Sequence, residues 1–134
     1  MKKLMVGLFV FGAALSVSAG AGTSVDGLLD SWRSEGAAEF DPSAGAALWV
    51  KPFTHAKSPV SRSCATCHTE DPRRGGRHQR TRKPIDPMAP SANPDRLSDV
   101  AEIKKWLKRN CRWTLGRECT AQEKGDLLTY LKSL

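Results

Sequence analysis

The chain has 134 residues and a formal net charge of +7, from 21 Lys and Arg against 14 Asp and Glu. That length suits one small domain, and the sequence has no internal repeat, long low-complexity run or second strongly apolar segment. The positive excess favours solubility and docking to an acidic partner; by itself it does not indicate nucleic acid binding.

Residues 1–21 have the three-part layout of a secretory signal peptide. Lys2 and Lys3 form a short positive region, Leu4 to Val17 is apolar, and Ser18-Ala19-Gly20-Ala21 is small. The apolar run of about 14 residues falls short of the roughly 20 that a spanning helix needs. Cleavage is expected at Ala19–Ala21, leaving residues 22–134 as a single exported, periplasmic domain. Loss of Lys2 and Lys3 lowers the formal charge from +7 to +5.

Ser24 caps a predicted helix that carries Leu28, Leu29 and Trp32 on one face and runs to about Glu39. Asp41-Pro42, a cap followed by proline at the first helical position, starts a second helix with Gly45, Leu48 and Trp49. A loop with Pro52 and Pro59 leads to Cys64-Ala65-Thr66-Cys67-His68, and a short helix is expected from Cys64 to about Glu70. Residues 73–94 read as irregular, with four prolines from Pro84 to Pro94. Ser98 caps the next helix, whose Val100, Ile103, Trp106 and Leu107 recur at helical spacing and which ends near Asn110. Thr120-Ala121-Gln122-Glu123 is a capping box, opening a last helix with Leu127, Leu128, Tyr130 and Leu131 on its apolar face. The expected fold is all-α, without strands. Gly45 and Tyr130 would let the second and last helices cross closely, and Trp49, Trp106 and Tyr130 read first as core packing.

The C-x-x-C-H run admits three chemistries: a redox dithiol, half a zinc site, or covalent haem. A thioredoxin-like dithiol should follow a strand in an α/β pattern, and no strand-rich segment precedes Cys64. A zinc site needs a second ligand pair, and neither C-x-x-C nor H-x-x-x-H follows. An exported protein also tends to oxidise spare thiols rather than keep them for zinc. For haem the geometry fits. On one helical turn Cys64 and Cys67 reach the two vinyl groups as thioethers, and His68 points at the iron as proximal ligand. With two propionates the charge would be about +3.

The segments "KPIDPMAPSANPDRL", "KKWLKRNCRWTLGREC" and "TAQEKGDLLTYLKSL" resemble the Sphaeroides haem protein (SHP) family of oxygen-binding c-type cytochromes. The resemblance runs from about Gly45 to Leu134 and is most specific at Arg109-Asn110-Cys111 and Gly116-Arg117-Glu118-Cys119. It implies a class I cytochrome c fold around one covalent haem c. It also implies that the side-chain oxygen of Asn110 binds ferric iron and leaves on reduction, and that Cys111 and Cys119 form a disulfide beside it.

One position departs from the family: Met88 stands where its proline-rich segment carries leucine. Ordinary class I cytochromes take their sixth ligand from a methionine in such a loop, so Met88 is the alternative to Asn110. A carboxamide oxygen is hard and suits Fe(III); a thioether is soft and holds Fe(II). On residues alone Asn110 reads as a helix C-terminal residue and Met88 as a filler of core gaps. His55 and His78 read as surface residues, with bis-His ligation as a lesser alternative.

Three functions follow. The first is a gas-binding cytochrome taking O2 or NO, for which the resemblance implies electrons from a dihaem cytochrome c or a membrane b-type cytochrome. The second is an electron shuttle using Met88. The third is a small oxidoreductase acting on O2 or NO, for which no distal acid–base pair beyond Asn110 is visible. Arg73, Arg74, Arg77, Arg80, Arg82 and Lys83 form a basic segment that reads as a solvated loop, or as one that neutralises propionates or steers a redox partner. It has no interleaved aromatics, so no nucleic acid partner is expected.

Overall fold

Three of the four local signals for helix starts, at Ser24, Asp41 and Thr120, are realised in the computed structural model, which describes residues 24–56 and 58–134. The expected signal peptide, residues 1–21, lies outside the described residues. Five helices are present among them: α1 (Val25–Ser34), α2 (Pro42–Val50), α3 (Ala65–His68), α4 (Val100–Leu115) and α5 (Ala121–Lys132). Ser24 Oγ accepts the Gly27 N–H at 3.0 Å, and Asp41 accepts the Ser43 N–H at 2.7 Å ahead of Pro42. Thr120 and Glu123 form the reciprocal capping box. Each such cap adds about 1 kcal/mol.

Four boundaries differ from expectation. The first helix ends at Ser34, not near Glu39; Gly36 follows with φ +99°. The helix at the C-x-x-C-H run is only Ala65–His68, because Thr69 turns out of helical geometry. Asp99, not Ser98, caps α4: Ser98 Oγ donates to the Asp95 carbonyl at 2.6 Å, while Asp99 accepts the N–H groups of Ala101 and Glu102. The helix also continues past Asn110 to Leu115, where Gly116 in the left-handed conformation ends it.

The expectation of no strands is corrected. Two antiparallel two-stranded ribbons occupy the connections, β1 (Phe53–His55) with β2 (Ser58–Arg62) and β3 (Gly76–Arg77) with β4 (Pro84–Ile85). Pro52 and Pro59 discourage helix on either side of the first turn, while Phe53, Thr54 and Val60 suit an extended chain. These ribbons are too short to stand alone; β1 rests against α4.

The main helix contact is α2 against α5. A Cβ on Gly45 would lie 2.1 Å from the Asp126 carbonyl oxygen and 2.7 Å from Tyr130 Cβ, so only glycine permits this backbone approach. Asp126, buried at the crossing, accepts the Asp41 N–H at 2.9 Å and Gln122 Nε2 at 2.9 Å, which ties the start of α2 to α5. Leu128 joins Leu28, Leu29, Trp32 and Ile103 in one apolar cluster. Leu127 and Leu131 join Trp49 in a second, against which Met88, Tyr130 and Cys64 pack.

Candidate haem site

One helical turn sets the first side of the site. The His68 N–H donates to the Cys64 carbonyl at 3.1 Å, and the Thr69 N–H to that of Ala65 at 2.9 Å. This turn places Cys64, Cys67 and His68 on the wall of a cavity of about 700 Å³, a size in the range of cofactor sites. Leu127, Leu128 and Leu131 of α5 also line it, as does one face of α4 with Trp106, Asn110, Trp113 and Thr114. A smaller cleft of about 250 Å³, bordered by Trp32, Lys104, Lys108 and Lys124, contains neither thiol nor imidazole.

The electrostatics of the turn argue against two of the three chemistries. Burial pushes the Cys64 thiol up to about 11, whereas a redox-active dithiol needs a lowered pKa. Among the described residues no group of three or more Cys, His, Asp and Glu could hold a metal ion. A metal here needs most of its donors from elsewhere, as a porphyrin supplies them. Burial, with a smaller contribution from the Arg96 guanidinium, pushes the His68 imidazole down to about 4. Its ring is therefore neutral near pH 7 and keeps a lone pair for coordination. The Nδ1 atom is buried without a hydrogen-bond partner among the described residues. Two thiols and a neutral imidazole on one turn, bordering a large and mostly apolar cavity, fit a covalently attached haem.

Both candidates for the opposite side border the cavity. Asn110 is half-buried within α4, four residues after Trp106 and three before Trp113, so it is not the C-terminal cap; Gly116 is. Its neighbour Cys111 is joined to Cys119 by a disulfide. Met88 donates its backbone N–H to the Pro72 carbonyl at 2.8 Å and also borders the cavity. The histidines divide. His78 borders the cavity, its ring 6.1 Å from that of Trp113, with Nδ1 accepting the Thr81 N–H at 3.0 Å. His55 packs beneath Gly116, with Nε2 buried and unpartnered among the described residues.

Some cavity residues carried no signal in the sequence. Arg96 donates to the Pro87 and Asp86 carbonyls at 2.9 and 3.3 Å, which fastens the proline-rich loop beside His68. Trp113 repeats Trp106 at seven residues, a spacing that could have marked it as sharing the Asn110 face. The basic segment, expected to be irregular, is partly ordered: around the β3–β4 turn the His78 N–H donates to the Lys83 carbonyl and the Arg82 N–H to the His78 carbonyl, both at 2.9 Å, and Arg77 donates to the Arg82 carbonyl at 2.9 Å.

Comparison with known proteins agrees with this geometry. Residues 35–131 match the family described as a domain of unknown function, DUF1924. The chain is 43% identical over 128 residues to the cytochrome c-type protein SHP of Cereibacter sphaeroides, covering 95% of this chain and 98% of that one. It is 35% identical over 69 residues to cytochrome c'' of Methylophilus methylotrophus, covering 52% of this chain and 48% of that one. Among solved structures, oxidised SHP, an oxygen-binding cytochrome c, superposes with a TM-score of 0.74 at 42% identity, covering 84% of this chain and 98% of that one. Oxidised cytochrome c'' of M. methylotrophus superposes at 0.69 with 24% identity, covering 81% and 92%, a likeness of fold. The helical frame and the C-x-x-C-H turn are those of a c-type cytochrome of class I-like fold. Within that class the chain belongs to the DUF1924 family and to the SHP cytochromes. It carries one covalent haem c.

Proposed function

We propose that this chain is a periplasmic cytochrome that binds a diatomic gas, O2 or NO, after reduction and accepts electrons from a partner cytochrome. A haem bound here would supply a redox-active iron. Cys64 and Cys67 anchor it as thioethers, and His68 holds the proximal side through a neutral imidazole. Asn110 occupies the distal side in the ferric state through its carboxamide oxygen. As a hard and weak donor it leaves on reduction.

The observation that carries this reading is the placement of Asn110. It faces the cavity from a rigid helix, and the next residue is tethered to Cys119. A weak ligand cannot organise its own loop; here the backbone is fixed in advance. The oxygen-binding character of the similar SHP structure supports the gas-binding part of this reading. The exported location rests on the signal-peptide layout, and no helix among the described residues is long and apolar enough to cross a membrane.

Met88 favours a second reading, an electron shuttle with sulfur on iron, because it too borders the cavity. Absorption spectra separate the two. With Asn110 as ligand, the ferrous protein is high-spin and takes up CO rapidly. Asn110→Ala then alters the ferric spectrum only, and Met88→Leu alters neither. A low-spin ferrous protein that excludes CO, and becomes high-spin in Met88→Leu, would leave the shuttle. Electrons are proposed to come from a dihaem cytochrome c or a membrane b-type cytochrome, with the basic β3–β4 turn meeting its acidic surface.

A further inference from the structure

The residue after His68 is held in a conformation that its side chain disfavours. Thr69 has φ +67° and ψ +165°, a region essentially reserved for glycine and especially unsuited to a β-branched residue. Such a backbone persists only where its surroundings over-determine it. Two hydrogen bonds at Thr69 do so, and the backbone just before it is tightly packed. The indole N–H of Trp49 donates to the Thr69 carbonyl at 2.9 Å. The Thr69 hydroxyl donates to the Asp71 carbonyl at 2.8 Å. On the other side Gly76 lies so close that a Cβ there would stand 2.0 Å from the Cys67 carbonyl oxygen and 2.8 Å from His68 Cα.

Trp49 is 4% exposed, and its ring lies 5.5 Å from that of His68, tilted by 42°. Among the described residues the imidazole has no hydrogen bond of its own at Nδ1 to set its orientation. A metal-bound histidine is ordinarily oriented by such a bond. Here the ring must be oriented through its backbone and by the indole beside it.

We infer that Trp49 is a positioning residue for the proximal ligand, its indole N–H holding the strained Thr69 carbonyl and thereby fixing the plane of the His68 ring. The inference rests on the reading of His68 as axial ligand. Packing alone would require the ring of Trp49 but not its nitrogen. A positioning role requires the nitrogen, and predicts that relieving the strain at Thr69 makes it dispensable.

The experiment uses the haem-loaded protein and three variants, read by the g-values of the ferric haem signal and by the midpoint potential. Both depend on the axial imidazole. Trp49→Phe is expected to shift both, since Thr69 relaxes and the ring turns. Thr69→Gly alone is expected to leave both at wild-type values, because glycine adopts this conformation unaided. The double variant is expected to return both towards wild type. A Trp49→Phe protein with unchanged g-values and potential, whatever its melting temperature, overturns the inference, and so does absence of rescue in the double variant. Should Trp49→Phe fail to incorporate haem, hydrogen exchange in the wild type decides. The Trp49 indole proton is expected to exchange far more slowly than those of the exposed Trp106 and Trp113; exchange at their rate overturns the inference. His68→Gly tests the underlying reading separately, because spectra unaffected by that change would mean that His68 is not the ligand at all.

Discussion

Cys111 and Cys119 hold their Cα atoms 5.5 Å apart across the turn that ends α4. Asn110 lies immediately before this bridge, and Gly116, at φ +76°, lies inside the loop it closes. Replacing both cysteines by serine is expected to lower stability by about 2–3 kcal/mol through the freed loop. The same change should broaden the ferric spectrum into a mixture of distal states. Urea unfolding and ferric absorption test the two effects; an unchanged unfolding midpoint would mean the bridge constrains nothing.

Gly45 is expected to tolerate no side chain. Alanine would gain about 1 kcal/mol of helix propensity, but its Cβ would meet the Asp126 carbonyl at 2.1 Å. Forced separation of α2 from α5 should outweigh that gain, for a net loss of about 1–3 kcal/mol. Thermal unfolding of Gly45→Ala measures it, and a rise in melting temperature would contradict the close crossing.

Acid sensitivity should be traceable to Glu123. Its carboxylate takes two N–H groups of Arg117 at 2.7 Å each and the Thr120 N–H at 2.8 Å. The Arg117 hydrogen bond, chiefly, holds Glu123 below its ordinary value of 4.5. The unfolded chain therefore binds the proton first as pH falls, so this contribution is complete above pH 4.5 and disappears as pH drops through the lower folded value. Glu123→Gln should lose about 1 kcal/mol or less at pH 7, given partial exposure, and should flatten the decline below pH 4.5. Unfolding midpoints from pH 7 to 3 provide the check.

The basic turn between β3 and β4 gives a kinetic prediction. Arg80 and Lys83 are exposed there, and Lys83 reaches the rim of the cavity. Reversing both to glutamate should slow reduction by an acidic redox protein at least roughly tenfold at low salt. The difference should vanish near 1 M salt, where the screening length is about 3 Å. Stopped-flow mixing at two ionic strengths measures it; equal rates at low salt would remove the turn from the docking surface.

The features legible in the sequence are those decided within one helical turn. The caps at Ser24, Asp41 and Thr120 are pairs of neighbours, and Cys64, Cys67 and His68 share a turn, so spacing alone carries them. The ribbons were not legible because their strands are stabilised by docking, β1 against α4, rather than by an alternating pattern. Ser98 and Asp99 can both cap a helix; the choice falls to Asp99 because the Asp95 carbonyl engages Ser98. Asn110 was expected near the end of a helix that in fact runs five residues further. Arg96 acts through carbonyls of a proline-rich loop, which no residue pattern announces.

The crossing of α2 and α5 also has a consequence for how the chain reaches this state. Residues 42–50 find their main partner in residues 121–132, so the chain must close a loop of some 70 residues before that pair forms. Such closure is slow, and its cost rises with the logarithm of the loop. The C-x-x-C-H turn lies inside the loop. Attachment of the haem there, before the last helix arrives, would give both ends an apolar surface on which to gather. A chain shortened within α5 should then keep its covalent haem and its colour, yet never acquire the packed crossing at Gly45.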